Sequence, residues 1–466
     1  MGAGRSDAEK RPKMPSTESK TIAKPTNKAR RKAFLGAIVG HLIEWYDYGI
    51  YGFLAVYVGA NFFASDDPAV GTISAFAVFA LSFFIRPVGG MFFGPLADRV
   101  GRRKTLLLVI SLMCGSTMLI GALPTMSSVG IAAPILLVLL RLIQGLSAGG
   151  EVSTVTAFIS EYSKPEKRGF STSLVLATAG VGLLLGAVVG NGITWMLGTE
   201  AMTEWGWRIP FLIAGPLGVV AVFIRLKLED SPEFRDLQEK DMVAEAPLRE
   251  VFRYPRQLLL MAAVITFLAS GFYLVYTYFS TYLKTSLEFS PGRTFFYVLL
   301  AGIIGVVLMP ISGMITDKLG SRRNFLLVVL ALWAAAIVWF FSTAPSASPT
   351  GVLLPLIAVA VGMGLYCGSP YATMSELMPA RVRSTGIALG YNIPVALFGG
   401  SAPLIASALI RQTGDISSPM YFFLATAVVS AVGLLFLRDK DLLGSDRFVA
   451  ETTNSRQEGT KARSMD

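Results

Sequence analysis

Long apolar stretches, separated by short polar segments, fill the chain between residues 33 and 437. Each stretch holds about 20 residues or more, the length that an α-helix needs to cross the hydrocarbon core of a bilayer. Because backbone groups in lipid must form hydrogen bonds within their own segment, these stretches predict helices rather than strands. Twelve helices are predicted, over residues 34–60, 71–97, 104–124, 131–159, 170–197, 208–228, 257–283, 293–316, 324–343, 351–377, 384–410 and 419–437.

The composition agrees with an all-α membrane protein. Of the 466 residues, 53% are apolar and only 15% are charged, whereas soluble domains carry about 25% charged residues. Cys114 and Cys367 lie in apolar runs, and we expect both to be buried, with neither a disulfide framework nor a zinc site. The chain has a single histidine, His41, which excludes a multi-histidine metal site and makes a nucleophile–histidine–acid enzyme implausible.

The basic residues lie almost entirely on one side of the predicted membrane. Lysine and arginine number 41 against 31 acidic residues, for a net charge of +10. With the N-terminus inside, the outer loops carry only Lys284, Arg293 and Arg411. This asymmetry follows the positive-inside rule and predicts that both termini are cytoplasmic. The basic charge therefore indicates a lipid bilayer as partner and no nucleic acid.

Polar segments divide the chain into five parts. Residues 1–32 are basic and lack the apolar core of a signal peptide, so they are predicted to be a disordered cytoplasmic tail. The charged linker 229–256 separates a bundle over 33–228 from a second bundle over 257–437. Residues 438–466 form a second predicted cytoplasmic tail.

The two halves carry the same motif. Residues 94–104 read GPLADRVGRRK after the second predicted helix, and residues 313–323 read GMITDKLGSRR after the eighth. Glu161 and Glu376 follow the fourth and tenth helices at nearly the same offset. An internal repeat of this kind predicts two pseudo-symmetric bundles of six helices.

The repeated motif suits a gate. Glycines let helices approach closely, an aspartate can accept hydrogen bonds from a helix N-terminus or an arginine, and arginines can clamp a facing carboxylate. Inside-positive anchoring alone would explain the arginines but neither the aspartates nor the glycine spacing. The candidate gating residues are Asp98, Arg102, Arg103, Glu161, Arg168, Asp317, Arg322, Arg323, Glu376 and Arg383.

Further motifs carry a family resemblance. They are EWYDY at 44–48, IRPVGG at 85–90, RLIQG at 141–145, GGE at 149–151 and WGWRIP at 205–210. Together with the repeat, the chain resembles the major facilitator superfamily over residues 33–440. More narrowly, it is similar to the metabolite:proton symporter family, which includes proline/betaine and 2-oxoglutarate transporters.

The sequence departs from that family at two places. Members commonly have asparagine where this chain has His41. Residues 438–466 show no sustained heptads, so the C-terminal coiled coil of some proline/betaine members is absent.

The resemblance implies a secondary transporter of the inner membrane that works by alternating access. We expect it to import a small polar organic solute together with protons and to be monomeric. The sequence has no phosphate-binding loop, and no cofactor is expected. Exporters often carry a proline-rich motif in helix 5, which residues 180–190 lack, and this favours uptake over antiport. A solute sensor built like a transporter is the alternative from another class.

Ionisable residues at membrane depth are the candidate proton-coupling groups, because each is costly to bury. They are His41, Glu44, Asp47 and Glu151. His41 and Glu44 share one face of the first helix with Trp45 and Tyr48. In a low dielectric a carboxyl group has a raised pKa that a neighbouring arginine lowers again, so a changing pair can release a proton. Structural salt bridges between helices are the alternative.

The substrate candidates combine arginines with aromatic and polar side chains. Arg86 and Arg141 are counter-ions that can each hold a substrate carboxylate, and aromatic rings can hold an ammonium group. The remaining candidates are Trp45, Tyr48, Tyr276, Thr281, Tyr366 and Asn392.

The resemblance bears on the solute. The 2-oxoglutarate transporters place a lysine where this chain aligns Thr281, which favours a zwitterion such as proline or betaine, or a monocarboxylate. A dicarboxylate of the 2-oxoglutarate or citrate kind and an aromatic acid such as shikimate stay open, since Arg141 can supply a second cation.

Overall fold

The structure is a computed structural model that describes residues 27–63 and 68–442, and within these ranges it contains helices and no β-strand. Eleven of the described helices are long and apolar enough to cross a membrane. The twelfth, α1, is 36 residues long, but Glu44 and Asp47 interrupt its apolar stretch. The spans are α1 Asn27–Phe62, α2 Val70–Val100, α3 Arg102–Ala122, α4 Ala132–Tyr162, α5 Arg168–Ala201, α6 Arg208–Leu226, α7 Pro255–Thr285, α8 Pro291–Leu319, α9 Arg322–Thr343, α10 Leu353–Leu377, α11 Ala380–Thr413 and α12 Pro419–Phe436.

The helix ends differ from the sequence prediction in a few places. Residues 27–32, predicted to belong to a disordered tail, form the first turns of α1. The rest of that tail and the chain beyond residue 442 lie outside the described residues. Helix α5 continues to Ala201 across a kink at Gly198, whose φ is +79°. Arg225 lies inside α6 and is fully buried, although it was not among the residues predicted to form a site.

The outward faces of the helices suit a lipid environment. Large apolar side chains are exposed there, among them Phe92 at 63%, Val219 at 71% and Leu404 at 72%. Exposed apolar area on this scale is avoided by soluble monomers. The polar side chains that the sequence analysis selected as proton-coupling candidates, by contrast, are all buried.

Glycines bring α2 and α4 into backbone contact. A Cβ added at Gly89 would lie 2.0 Å from the carbonyl oxygen of Leu146, and one at Gly149 would lie 2.1 Å from that of Arg86. Small residues at helix crossings allow this approach in membranes. The contact fixes the backbone at Arg86 against α4.

Two helix pairs bring the backbones of the two halves into close contact. Helix α5 contacts α8, where a Cβ at Gly313 would lie 2.6 Å from the carbonyl oxygen of Gly169. Helix α2 contacts α11, where a Cβ at Gly94 would lie 3.0 Å from Cα of Thr385. Both contacts lie near the end of the molecule at which α2 joins α3 and α8 joins α9. We call this end, where the basic loops lie, the basic face.

The segment 229–256, predicted to be a linker, covers part of the basic face. It contains two short helices, Pro232–Glu239 and Pro247–Val251. The first begins after Ser231, whose hydroxyl accepts a hydrogen bond from the backbone N–H of Phe234 at 3.3 Å. Serine before a proline at the first helical position is a favourable helix start.

The close approach of α2 and α4 predicts the effect of a single methyl group. We expect Gly149→Ala to lower the thermal unfolding temperature in detergent clearly, because the backbone oxygen of Arg86 must move. Gly115→Ala, in α3, is the matched control: a Cβ there meets nothing within 4 Å and alanine favours the helix by about 0.5–1 kcal/mol. Equal unfolding temperatures for the two variants would contradict the described packing.

Candidate functional site

Arg86 lies at a break in α2 near the middle of the molecule. The span consists of the helices Pro68–Phe84 and Arg86–Val100, and the ring of Pro87 cannot donate the backbone hydrogen bond that would continue the first of them. The Arg86 side chain is fully buried. Its Cζ lies 4.3 Å from the ring centroid of Phe83, 4.4 Å from that of Tyr48 and 5.7 Å from that of Trp45.

The Arg86 guanidinium has aromatic neighbours but no hydrogen-bond acceptor among the described residues. All three of its nitrogens are buried without a partner. A buried donor left without a partner costs about 1–3 kcal/mol, and a charged one more. A guanidinium presents paired N–H groups that match a carboxylate, so this side chain is suited to hold an anion.

Glu44 is a buried carboxyl group close to Arg86. It is fully buried, and neither of its oxygens has a hydrogen-bond partner among the described residues. Its nearest basic atom is Nδ1 of His41, 3.4 Å from Oε2. The other ring nitrogen of His41, Nε2, accepts a hydrogen bond from the indole N–H of Trp45 at 3.1 Å.

Glu151 is paired with Arg225, a residue that the sequence analysis missed. Nη1 of Arg225 donates to Oε2 of Glu151 at 3.2 Å, and Nη2 donates to Oε1. Arg225 also donates to the carbonyl oxygens of Leu106 and Gly36, so it ties α6 to α1, α3 and α4. An arginine near the end of an apolar run reads as a loop charge, and only its position on the inner face of α6 reveals this role.

His41, Glu44 and Glu151 form one cluster. One possible ligand atom from each lies within 4.8 Å of the others, and all three side chains are buried. Arg225 already occupies both oxygens of Glu151, and a further cation would have to displace that guanidinium. The arrangement therefore suits the exchange of a proton better than the binding of a metal ion.

Asp47 and Arg141 form a separate ion pair. Nη1 of Arg141 lies 3.2 Å from Oδ2 of Asp47, and its Cζ lies 3.5 Å from the ring centroid of Tyr51. Beside them the amide of Gln144 donates to the hydroxyl of Thr117 at 2.6 Å. The pair joins α1 to α4 within the N-terminal half. It is a salt bridge between helices, the alternative to a proton-coupling role.

Helix α7 of the C-terminal half supplies the facing aromatic wall. Trp45 packs against Phe272 and Tyr273, with ring centroids 5.6 Å and 6.5 Å away. Tyr273 also lies 5.4 Å from Phe83, and its hydroxyl has no partner among the described residues. Phe272 was not among the predicted substrate residues, since phenylalanine is common throughout the apolar runs.

The other substrate candidates fall into two groups. Asn392 joins the halves in the middle, because its amide donates to the carbonyl oxygen of Gly149 at 2.8 Å. Tyr276 donates to Gly302, and Tyr366 donates to Val264, each within the C-terminal half. Thr281, on which part of the expected solute preference rested, is exposed on the outside of α7, so the structure does not bring it to Arg86.

Two aspartates bind helix N-termini across the two halves. Asp98 accepts hydrogen bonds from the backbone N–H groups of Ser384 at 3.1 Å and Thr385 at 2.8 Å. Asp317 accepts from the N–H groups of Gly169 and Phe170, both at 2.8 Å. A negative charge is favoured at a helix N-terminus. The repeated motif thus makes the same contact twice: the aspartate of each half accepts hydrogen bonds from a helix N-terminus of the other half.

Arginine–glutamate pairs surround these contacts. Arg102 lies 3.1 Å from Glu161, and Arg383 of the other half reaches the same carboxylate at 3.0 Å. Arg322 holds Glu376 with two hydrogen bonds of 2.8 Å. All five side chains are buried.

The remaining gating candidates differ in their contacts. The backbone N–H of Arg103 donates to Asp230 at 3.1 Å, which attaches the start of α3 to the linker. Arg168 lies 3.4 Å from Glu233. No described carboxylate pairs with Arg323.

The linker completes this network, which the sequence analysis did not anticipate. Glu233 accepts hydrogen bonds from Arg383 of one half and Arg168 of the other, and the Ser231 hydroxyl donates to Glu161. Burial alone would raise the pKa of Glu233, but the guanidinium groups of Arg383 and Arg168 outweigh it and hold that pKa below its usual range. The linker carboxylate therefore stays charged and bridges the halves at neutral pH.

The central site is enclosed from both directions in this conformation. The network at the basic face joins the halves on one side of Arg86. On the other side stands Phe83, one turn earlier in α2, which packs against Tyr48 and Tyr273. The guanidinium of Arg86 and the carboxyl of Glu44 are consequently inaccessible to solvent.

The bridging role of Glu233 predicts a looser basic face when its charge is removed. In a background with Cys114 and Cys367 replaced by alanine, we expect Glu233→Gln to speed the labelling of a cysteine at Ser173, which is buried between α5 and α8. Because the pKa of Glu233 is lowered, wild-type protection should be full at neutral pH and lost only as the pH falls through that lowered value.

Asp236→Asn supplies the control, because Asp236 on the same short helix pairs only with exposed Lys240. It should leave the labelling rate unchanged. Equal labelling rates in Glu233→Gln and the wild type would show that the linker does not hold the halves together.

Comparisons with known proteins agree with this architecture. The model of the Major Facilitator Superfamily matches residues 37–393. The proline/betaine transporter of Salmonella typhimurium is 34% identical over 86% of this chain and 82% of its own length. The citrate-proton symporter of Salmonella typhi is 33% identical over 90% of this chain and 97% of its own length. Among solved structures, the xylose transporter XylE from E. coli in a partially occluded inward-open conformation has a TM-score of 0.68 at 15% identity, covering 88% of this chain and 98% of that one.

Proposed function

The chain belongs to the major facilitator superfamily, and from that premise we propose that it imports a small polar organic solute together with protons. Relatives of similar length are named for the transport of proline and betaine and for citrate–proton symport. A multi-pass membrane protein of twelve helices in two six-helix halves provides the frame. The chemistry of the described site then narrows the solute and the proton carrier.

The unpaired guanidinium of Arg86 is the observation that carries this proposal. Five arginine side chains are fully buried among the described residues. Four of them pair with carboxylates, and these are Arg102, Arg141, Arg225 and Arg383. Arg86 is the one of these five whose guanidinium nitrogens all lack a hydrogen-bond acceptor. Aromatic rings surround it instead. One free guanidinium matches one carboxylate, which favours a zwitterion or monocarboxylate over a multiply charged anion such as citrate.

The aromatic wall also favours a zwitterion as the solute. Trp45, Phe272 and Tyr273 stand within ring-contact distance of one another beside Arg86. Aromatic faces attract ammonium groups, most strongly when the site is dry. A solute with a carboxylate on Arg86 and a quaternary or secondary ammonium against these rings would satisfy both parts of the site.

Glu44 is the proposed proton carrier. Asp47 and Glu151 are each held by an arginine, whereas Glu44 has no hydrogen-bond donor and interacts electrostatically with Arg86. When Glu44 is protonated, the charge of Arg86 is available to the substrate carboxylate. When Glu44 loses its proton, its carboxylate competes for Arg86 and weakens substrate binding. Proton and solute therefore travel together.

Alternating access would follow from the network at the basic face. We place this face in the cytoplasm and both termini with it, in an inner or plasma membrane, with a single chain as the transporting unit. Release of the solute inside requires the contacts of Asp98, Asp317 and Glu233 to separate. The two aspartate contacts are related by the internal repeat, so their opening can be a single rocking movement of the halves.

Substrate uptake by proteoliposomes tests the role of Arg86. In the wild type, radiolabelled glycine betaine or proline should accumulate only with an inward proton gradient. Arg86→Gln should reduce the affinity for the solute on the order of 100-fold, since removing one member of a buried charge pair costs about 2–5 kcal/mol. Arg235→Gln, at an exposed pair with Glu229, is the control and should be neutral.

Three other results would assign a different solute or a different function. Accumulation of citrate or 2-oxoglutarate instead would assign the carboxylate class. Exit of preloaded solute under the gradient would indicate an exporter. Binding without movement would indicate a sensor.

Glu44→Gln separates coupling from binding. The variant mimics the protonated carboxyl, so we expect exchange of labelled for unlabelled solute to persist while gradient-driven accumulation is lost. Asp47→Asn should instead lower the unfolding temperature, because it leaves Arg141 buried without its partner. Gradient-driven accumulation by Glu44→Gln would exclude Glu44 as the proton carrier.

A further inference from the structure

Trp45 joins the cluster of His41, Glu44 and Glu151 to the aromatic wall. Its indole N–H donates to Nε2 of His41 at 3.1 Å, one turn earlier in α1. Its ring faces Arg86 on one side and Phe272 of the other half on another, at 5.7 Å and 5.6 Å. The Trp45 side chain is 1% exposed, so it cannot change one of these contacts without disturbing the others.

The hydrogen bond fixes the protonation state of the imidazole. An imidazole nitrogen that accepts from an indole N–H has its lone pair occupied and carries no proton. Neutral His41 therefore has its hydrogen on Nδ1, the nitrogen that lies 3.4 Å from Oε2 of Glu44. Adding a proton at Nε2 would set two N–H donors against each other. Protonation of His41 and its hydrogen bond to Trp45 exclude one another.

We propose that Trp45 controls proton access to Glu44 by occupying Nε2 of His41. This inference rests on the proposed function of Glu44 as proton carrier. While the bond to Trp45 holds, no proton can enter at Nε2. When Trp45 turns away, Nε2 takes a proton from solution, and the imidazolium passes its other proton from Nδ1 to the Glu44 carboxylate. His41 is then neutral with its hydrogen on Nε2, and the carboxyl group of Glu44 carries the transferred proton. The hydrogen bond to Trp45 re-forms once the imidazole ring turns over and presents its unprotonated nitrogen to the indole N–H.

The surroundings of His41 favour such a relay over a permanently charged imidazolium. The charged groups that face it are Glu44 on α1, Glu151 on α4, Arg225 on α6 and Arg86 on α2. Arg225 neutralises Glu151, and Arg86 opposes a second positive charge nearby. The aromatic wall controls the relay, because a solute or helix α7 that presses on the Trp45 ring determines whether the indole N–H reaches His41.

Proton entry without substrate tests the inference directly. Proteoliposomes containing a pH-sensitive dye and the wild-type chain should acidify slowly under an inward proton gradient. Trp45→Phe keeps an aromatic ring but lacks the indole N–H. It should raise the rate of proton entry without substrate, the substrate-free leak, on the order of tenfold. Trp45→Phe combined with His41→Gln should abolish the extra leak, because glutamine accepts a hydrogen bond but relays no proton.

Arg235→Gln, at an exposed pair with Glu229, is the control and should show the same substrate-free proton entry as the wild type. A leak in Trp45→Phe that persists when His41 is glutamine, or no increase in Trp45→Phe, would overturn the inference. Since this assay contains no solute, its result is independent of which solute is carried.

Tryptophan fluorescence provides a second test should Trp45→Phe express poorly. An imidazolium beside an indole quenches its emission, so acidification should quench the wild type through Trp45. His41→Gln should remove that component. A quench of the same size in His41→Gln would show that His41 does not titrate against Trp45.

Discussion

A charge buried away from water costs several kcal/mol unless it is paired, and the polar interior of this protein is arranged by that cost. Asp47 is paired with Arg141, and Glu151 is paired with Arg225. Arg86 and Glu44 are the exceptions, with buried nitrogens and oxygens that no described donor or acceptor satisfies. A transporter needs such exceptions, because a group already satisfied within the protein gains nothing from a solute or a proton.

The same cost governs the contact between the halves. The carboxylates of Asp98 and Asp317 are satisfied by helix N-termini of the opposite half. Separating the halves exposes those carboxylates and N–H groups to water, which satisfies them again. Opening the seam therefore exchanges hydrogen bonds within the protein for hydrogen bonds to water, whereas opening an apolar seam of equal area would expose apolar surface to water.

Part of this picture could be predicted from the sequence. The twelve spans follow from hydropathy, and the meeting of His41, Glu44 and Trp45 follows from helical spacing. The role of Arg225 was missed because hydropathy does not tell which face of a helix end is buried. The bridging role of Glu233 depends on how the linker folds back onto the basic face, and the hydrophobic periodicity of the sequence does not indicate that fold. The exposure of Thr281 depends on the rotation of α7, which packing sets.

In the proposed mechanism, substrate binding at Arg86 requires a proton on Glu44. Proton uptake on addition of glycine betaine to the purified protein in weakly buffered detergent solution measures this linkage without transport. At a pH where Glu44 is ionised before binding, we expect proton uptake in step with binding in the wild type, and binding with almost no proton uptake in Glu44→Gln. Equal proton uptake in both proteins, or binding to the wild type without proton uptake at every pH at which it stays folded, would contradict this linkage.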